Sequence, residues 1–455
     1  VTPAIDKLKV LVVGKDARTD AMAAACLAGP QPLELFAMSD MRTPGLMDKC
    51  QEVFIGALKD RAFRNRVVAE LRPDLVLVGP EEPLADGFVD ELEAEGIPAF
   101  GPSRELAKIE SSKSWAREIL DRHDIPGNPE YRVIEEHRDL RPYMEQLGDF
   151  VIKPDGLTAG KGVRVFGEHM ESIEEALEYA ELLVDADGRV QIEERLQGEE
   201  FSLQTITDGT TAIHCPLVQD HKRAFVGDRG PNTGGMGSYS CPDFSLPFLA
   251  ESDLAAAHAI SERVIDALAR EVGRPYRGVL YGGFIATAGG VQLIEYNARF
   301  GDPEAMNVLP LLQADFVELC VAVTRGELGG VDASFAPRAT VCKYVVPADY
   351  PDTAPAPGRI AIPDDLPSDD THWYWSACRQ EGAHVALTGS RSGAAVGIGD
   401  TLEQAERLAE QAAGRVEGDV RHRSDIGRPE IVEARIEHMA SLRAGGQQPL
   451  GAQAA

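Results

Sequence analysis

No apolar run of about 18 residues occurs in this chain of 455, so none of it reads as a membrane-spanning helix. The first residues show no basic segment followed by an apolar stretch, and no secretory signal is expected. There is no C-x-x-C pair. The cysteines Cys26, Cys50, Cys215, Cys241, Cys320, Cys342 and Cys378 are odd in number and scattered, which predicts buried free thiols in a reducing cytoplasm. The spacing G-x-x-x-x-G-K-[ST] is absent, so there is no P-loop. G-x-G-x-x-G is absent after the first strand, which disfavours bare Rossmann nucleotide binding. Positive charge is short as well. The 45 Lys and Arg, mostly Arg, face 74 Asp and Glu, and a net charge of −29 repels nucleic acid.

What is present is a globular composition, 44% hydrophobic, in a chain long enough for roughly three domains. The acidic charge is spread along the chain, as at Glu81-Glu82, Asp364-Asp365 and Asp369-Asp370, rather than gathered in a tail. Such a surface repels itself in dilute salt and is screened in strong salt. A salt-loving source is expected, with folding and activity rising toward molar KCl or NaCl.

Strand and helix patterns alternate at the start. Lys9–Val13 reads as a buried strand, followed by Gly14 and an Ala-rich helix from Asp20 to Leu27. Leu33–Ala37 is a second strand. Leu75–Val78 is another, ending in Gly79-Pro80-Glu81-Glu82-Pro83; a helix to Glu95 and a short strand to Phe100 follow. This alternation predicts a doubly wound parallel α/β sheet, with ligands outside the carboxyl ends of its strands. Gly14–Asp20 and Gly79–Pro83 then share one rim. Ser103–His123 reads as one helix.

Phe150–Val163 (FVIKPDGLTAGKGV) reads as a strand ending at Lys153 and a loop with glycines at 156, 160 and 162. Backbone N–H groups in such a loop wrap phosphate oxygens closely where no Cβ intervenes. Lys153 and Lys161 put two ammonium groups near the same polyanion. Asp220–Ser240 is glycine-rich, holds Asp, His, Lys, Arg and Asn close together, and reads as a long functional loop. A hairpin about Gly289-Gly290 carries Glu295 and Asn297, two apart and therefore on one face, with Arg299 in the same parity. A carboxylate and an amide oxygen so placed suit a hard cation bridging phosphates. From about Leu328 short strands take over, closed by a helix from Leu402 to Val416. The expected division is 1–103 (N-terminal α/β), 104–328 (central α+β, with a mobile glycine-loop subdomain at about 124–195), 329–435 (small and β-rich), and a disordered tail over 436–455.

Several stretches together resemble the phosphoribosylamine–glycine ligases (glycinamide ribonucleotide synthetases), ATP-grasp enzymes of purine synthesis. They are VGPEEPL (78–84), FGPS (100–103), ESSKSWA (110–116), VIKPDGLTAGKGV (151–163), IEERLQGEEFS (192–202), QDHKRA (219–224), GPNTGGMGSYS (230–240), IEYNARFGDPE (294–304) and RSDIG (423–427), in the family's order. The resemblance implies an ATP-grasp central domain that uses ATP with Mg²⁺ or Mn²⁺. It implies glycine and 5-phosphoribosylamine as substrates, a glycyl phosphate intermediate, and closure of the Gly156–Gly162 loop against water. No nucleic-acid or membrane partner is expected, and the protein is expected to be cytoplasmic and a monomer or weak dimer.

Residue roles follow from the same resemblance. Lys113 and Lys153 would meet the α and β phosphates, under Gly156, Gly160, Lys161 and Gly162. Glu193, Glu194 and the backbone of Leu196 would meet adenine, and Glu200 the ribose hydroxyls. Glu295 and Asn297 would hold the metal. Arg299 and Asp302 would face the transferring phosphate or glycine, and Asp220, Lys222, Asn232, Thr233, Gly234 and Gly235 the substrate pocket. Gly14, Arg18 and Glu81 belong to the substrate rim. The first loop departs from the family's G-x-G-G-R-E-H: Gly14-Lys15-Asp16-Ala17-Arg18-Thr19-Asp20 keeps only Gly14 and Arg18 in register, leaving Arg18 and Lys15 for the sugar phosphate. Two alternatives stand beside this reading: an ATP-grasp ligase with another acceptor amine, and a catalytically silent nucleotide-binding protein.

Overall fold

The computed structural model describes residues 7–157, 162–352, 358–366 and 368–445. Five parallel strands open it: β1 (Leu8–Val13), β2 (Leu33–Ser39), β3 (Glu52–Ile55), β4 (Leu75–Val78) and β5 (Ala99–Phe100), in the order β3-β2-β1-β4-β5. Val10 to Val13 and Leu75 to Leu77 are fully buried, as strands covered on both faces must be. The order reverses between β1 and β4, so the loops that leave them open onto one crevice, the rim expected from the sequence. Gly14 turns there at φ +141°, and a Cβ would lie 2.1 Å from Thr19 Oγ1.

Ser103–His123 is not one helix. Its helical pieces are Lys108–Ser111 and Lys113–Arg122, broken at an extended Ser112. The Ser112 hydroxyl accepts from Trp115 N at 3.3 Å, while Asp155 accepts from Ser114 N (3.1 Å) and Ser114 Oγ (2.7 Å). Serines here start a new helix rather than continue the old one. The break places Lys113 in a first turn that faces the glycine loop, and its Nζ donates to Gly156 O at 2.7 Å.

Next, β6 (Tyr131–Ile134), β7 (Phe150–Pro154), β8 (Arg164–Val165) and β9 (Val190–Glu194) form an antiparallel sheet, β6-β9-β7-β8. Helices His137–Leu147 and Ile173–Asp187 complete it around a small core of its own, which includes Leu140, Tyr143, Phe150, Ile152 and Ile192.

The chain continues through β10 (Glu199–Thr207), β11 (Ala212–His214), β12 (Gln219–Asp220), β13 (Arg223–Phe225), β14 (Arg229–Asn232) and β15 (Gly237–Ser240). The expected loop Asp220–Ser240 is therefore largely short strands: β13 pairs with β14, and β12 with β15. Strands of two to four residues leave no alternation to read. After the helix Glu251–Val272 come β16 (Gly278–Thr287) and β17 (Gly290–Asn297), giving the sheet β11-β10-β16-β17.

The last third supplies β18 (Ala339–Pro347), β19 (Arg359–Ala361), β20 (Thr371–Trp375), β21 (Arg379–Glu381), β22 (His384–Ala386), β23 (Gly393–Gly399), β24 (Glu417–Gly418) and β25 (Val420–Arg421). Its larger sheet runs β12-β15-β18-β23-β20 and so includes two strands from the substrate segment. The smaller runs β21-β22-β19-β24. A helix then spans Pro429–Arg443, which corrects the disordered tail drawn from 436. It buries Val432 and Met439 but docks largely by charge, so no apolar stripe announced it. Residues 446–455, the rest of that tail, lie outside the described residues.

The main core runs without interruption from the N-terminal sheet through β10, β16 and β17 to β18 and β23. All seven cysteines are free and buried. Among the described residues, no helix is long and apolar enough to cross a membrane.

Candidate active site

A cleft of about 750 Å³ opens between the small antiparallel sheet and the β10–β16–β17 sheet, with the rim loops and Asp220–Gly234 as its walls. Lys153 is the last residue but one of β7, and Glu193 lies two residues along the neighbouring β9 from the partner of Lys153. Glu193 meets Lys153 Nζ at 2.6 Å and Arg117 at 2.7 and 3.0 Å. Arg117 also donates to Leu293 O and Ile294 O, each at 2.9 Å, and Lys153 to Ile294 O at 3.1 Å. Burial works against a charge on Glu193, but Arg117 and Lys153 outweigh it and hold the carboxyl at about 2. These bonds tie the small sheet to β17.

That network engages both carboxylates expected near adenine. The Glu193 carboxylate is taken by Arg117 and Lys153, and the Glu194 carboxylate accepts from Glu130 N at 2.8 Å. Both side chains are engaged by the protein, while Leu196 also lies on the cleft surface. Glu200 accepts from Lys222 Nζ at 2.8 Å.

Across the cleft, Glu295 stands opposite Gly283 and Asn297 opposite Tyr281, with a register shift just before them. Asn297 Oδ1 accepts from Arg299 Nη2 at 3.0 Å; Arg299 also meets Glu110 at 2.9 Å and Glu81 at 3.3 Å. Among the described residues, no three His, Cys, Asp or Glu side chains group as a metal cluster. Two hard oxygen donors on one face, with lysines opposite, fit a Mg²⁺ or Mn²⁺ ion whose other ligands are phosphate oxygens and water. No wholly protein-built cage is required.

The far wall holds unpartnered carboxylate oxygens. Asp220 Oδ1 and Asp302 Oδ2 are buried and accept no hydrogen bond from any of the described residues. Burial, with Glu304 adding to it, pushes the Asp220 carboxyl well up. Asp302 Oδ1 accepts from Tyr344 OH at 2.5 Å and meets Arg391 at 3.2 Å. Arg391 also donates to Gly234 O (2.6 Å) and Gly235 O (2.9 Å) and lies 4.2 Å from the Tyr344 ring centroid. Thr233 Oγ1 donates to Lys222 O at 2.8 Å.

At the rim, the two cations of the first loop are already paired. Arg18 is 4% exposed; it donates to Phe300 O at 2.7 Å and pairs with Asp16. Lys15 meets Asp40 at 2.7 Å. Glu81 and Asn232 line the cleft, as do Lys113, Gly156 and Leu196. Gly14, Gly162 and Gly235 are not part of its described lining, and Gly160 and Lys161 lie outside the described residues. Two groups escaped the sequence reading. Arg117 stands four residues after Lys113 on the same helix, a spacing that puts both on one face. Arg391 carried no signal, because it reaches the cleft from a loop before β23.

Comparison with known proteins agrees with this geometry. Profiles for the phosphoribosylglycinamide synthetase N domain, ATP-grasp (A) domain and C domain match residues 8–110, 111–305 and 340–429. The chain is 44% identical to a phosphoribosylamine–glycine ligase of Methanopyrus kandleri, over 96% of this chain and 99% of the relative. It is 41% identical to the ligase of that name from Methanocella arvoryzae, over 96% and 100%. Among solved structures, a phosphoribosylamine–glycine ligase from Thermotoga maritima superposes with a TM-score of 0.75 at 26% identity, covering 92% of this chain and 100% of that one. A biotin carboxylase from Campylobacter jejuni (TM-score 0.73, 15% identity, 96% and 99% covered) shares the fold alone. With all three domain profiles matched in order and relatives aligned nearly end to end, the chain belongs to the phosphoribosylglycinamide synthetase family.

Proposed function

We infer that the protein joins glycine to 5-phosphoribosylamine at the expense of ATP, giving glycinamide ribonucleotide, ADP and phosphate in purine synthesis. One observation carries the reading. Lys113, Lys153, Lys222 and Arg299 line the same cleft as the oxygen pair Glu295 and Asn297, and no cysteine is among its described lining. Such a site positions and neutralises phosphates rather than attacking them.

The chemistry follows from the groups present. A glycine carboxylate oxygen attacks the γ-phosphorus, the bond to ADP breaks, and glycyl phosphate forms. The ribosylamine nitrogen attacks its carbonyl carbon, the carbon–oxygen bond to phosphate breaks, and the amine loses a proton. Arg299 and Lys222 face the charge that moves with the phosphoryl group. The oxygens of Asp220 and Asp302 left without a partner among the described residues are offered to substrate N–H groups, and burial, with Glu304 adding to it, raises the proton affinity of Asp220 beside them. Glu295 and Asn297 would hold the divalent ion, which would supply charge neutralisation at the phosphates. The free thiols suit a cytoplasmic enzyme.

A coupled assay omitting each substrate in turn tests this: ADP should form only when ATP, glycine and phosphoribosylamine are all present. The first loop favours a second reading in one respect, since Arg18 and Lys15 are both committed to protein partners. Phosphate release that needs glycine but ignores phosphoribosylamine would select a ligase with another acceptor amine. ATP binding without any turnover would select a silent nucleotide-binding protein.

A further inference from the structure

The cleft wall formed by β13 and β14 has little core of its own. Phe225 and Val226 at its tip are 43% and 44% exposed, and a two-stranded ribbon of this size does not hold itself in water. It is held by charge at its turn, where Asp228, Arg435 and Glu199 all reach the edge of the cleft. Asp228, in the turn, meets Arg423 Nη1 at 2.7 Å and also accepts from Arg435 Nη2. Arg435 belongs to the helix Pro429–Arg443, beyond the end of the matched C-domain profile at 429.

The same guanidinium has a second partner. Arg435 Nε lies 3.2 Å from a Glu199 carboxylate that is 4% exposed, an ion pair rather than an aligned hydrogen bond, and His438 Nδ1 lies 2.5 Å from its other oxygen. Glu199 begins β10 and precedes Glu200, the residue that holds Lys222. Arg423 also grips the hairpin, at Asp228 and at the Arg223 carbonyl, but its remaining partner is Asp425 in its own loop, so it does not join the hairpin to β10. Arg435 therefore joins the hairpin turn to the foot of the strand that anchors the pocket lysine. A planar fork can serve two carboxylates at once; an ammonium serves them poorly.

We propose that Arg435 is a positioning residue for the substrate side of the cleft, setting the wall Lys222–Asn232 against β10 by spanning Asp228 and Glu199. This rests on the ligase reading above. Three variants separate it from a merely structural role. Arg435→Met should raise KM for glycine or for phosphoribosylamine about tenfold, with kcat and the KM for ATP within about twofold. It should also speed amide exchange at residues 223–232 and leave β16 and β17 protected. Arg435→Lys should recover part of the KM. Arg443→Met loosens the same helix away from the cleft, where Arg443 donates to Phe248 O and pairs with Asp253, and should leave every KM unchanged.

Equal effects of Arg435→Met and Arg443→Met would overturn the proposal, as would unchanged exchange at 223–232 or a KM change confined to ATP. Should Arg435→Met fail to fold, Asp228→Asn must show the same faster exchange and raised KM, or the proposal falls. If the wild type turns over no glycine with phosphoribosylamine, the ligase reading fails, while the exchange measurement still decides whether Arg435 holds the hairpin.

Discussion

Glu295 and Asn297 share a face of β17 but differ in what binds them: Asn297 already accepts from Arg299, whereas no donor among the described residues hydrogen-bonds Glu295. Replacing Glu295 with Gln keeps the shape and removes the charge. Turnover should fall by about two to three orders of magnitude, with more Mg²⁺ needed for half-maximal rate. A Mg²⁺ titration of the steady-state rate checks this, and near-normal turnover would take Glu295 off the metal. Residues of this kind were legible because their message is local. Glu295, Asn297 and Lys153 sit at strand ends, where parity or a following loop gives their direction. Arg391 was not, since its partners at Gly234 and Asp302 are far away in the chain. Arg18 does line the cleft, but nothing local foretells its bond to Phe300 O.

Among the elements, β11 and the helix Glu251–Val272 meet through two stacked imidazoles, His214 and His258, with centroids 4.0 Å apart. Burial first, and His214 second, hold His258 down at about 4 against an ordinary 6.5. The folded protein keeps this ring neutral. The unfolded chain takes up a proton as pH drops below about 6.5, so the contribution is complete above that pH and is lost progressively toward about 4. His258→Gln should therefore lose less Tm than the wild type between pH 7 and pH 4.5, measured by thermal melts; parallel curves would exclude the ring pair as the cause. Element type was legible wherever a strand or helix was long. Two- to four-residue strands such as β12 to β15 were not, and the helix Pro429–Arg443 was hidden because ion pairs, rather than an apolar stripe, hold it down.

For the molecule as a whole, the net charge of −29 is the dominant long-range term. Many of its carboxylates are exposed and repel one another over about 10 Å in dilute buffer. Melting temperature and activity should both climb as KCl is raised from about 0.1 to about 2 M. Full stability in salt-free buffer would show that the ion pairs already compensate. The order of the three domains was legible from motif order, but not that the C-terminal sheet borrows β12 and β15, since cross-domain strand pairing leaves no mark on either sequence. The sheet β6-β9-β7-β8 encloses apolar side chains that the main core does not share. It is thus a removable cassette: its interior can diverge, or be transplanted from a relative, provided that the contacts of Arg117, Lys153 and Glu193 survive the exchange.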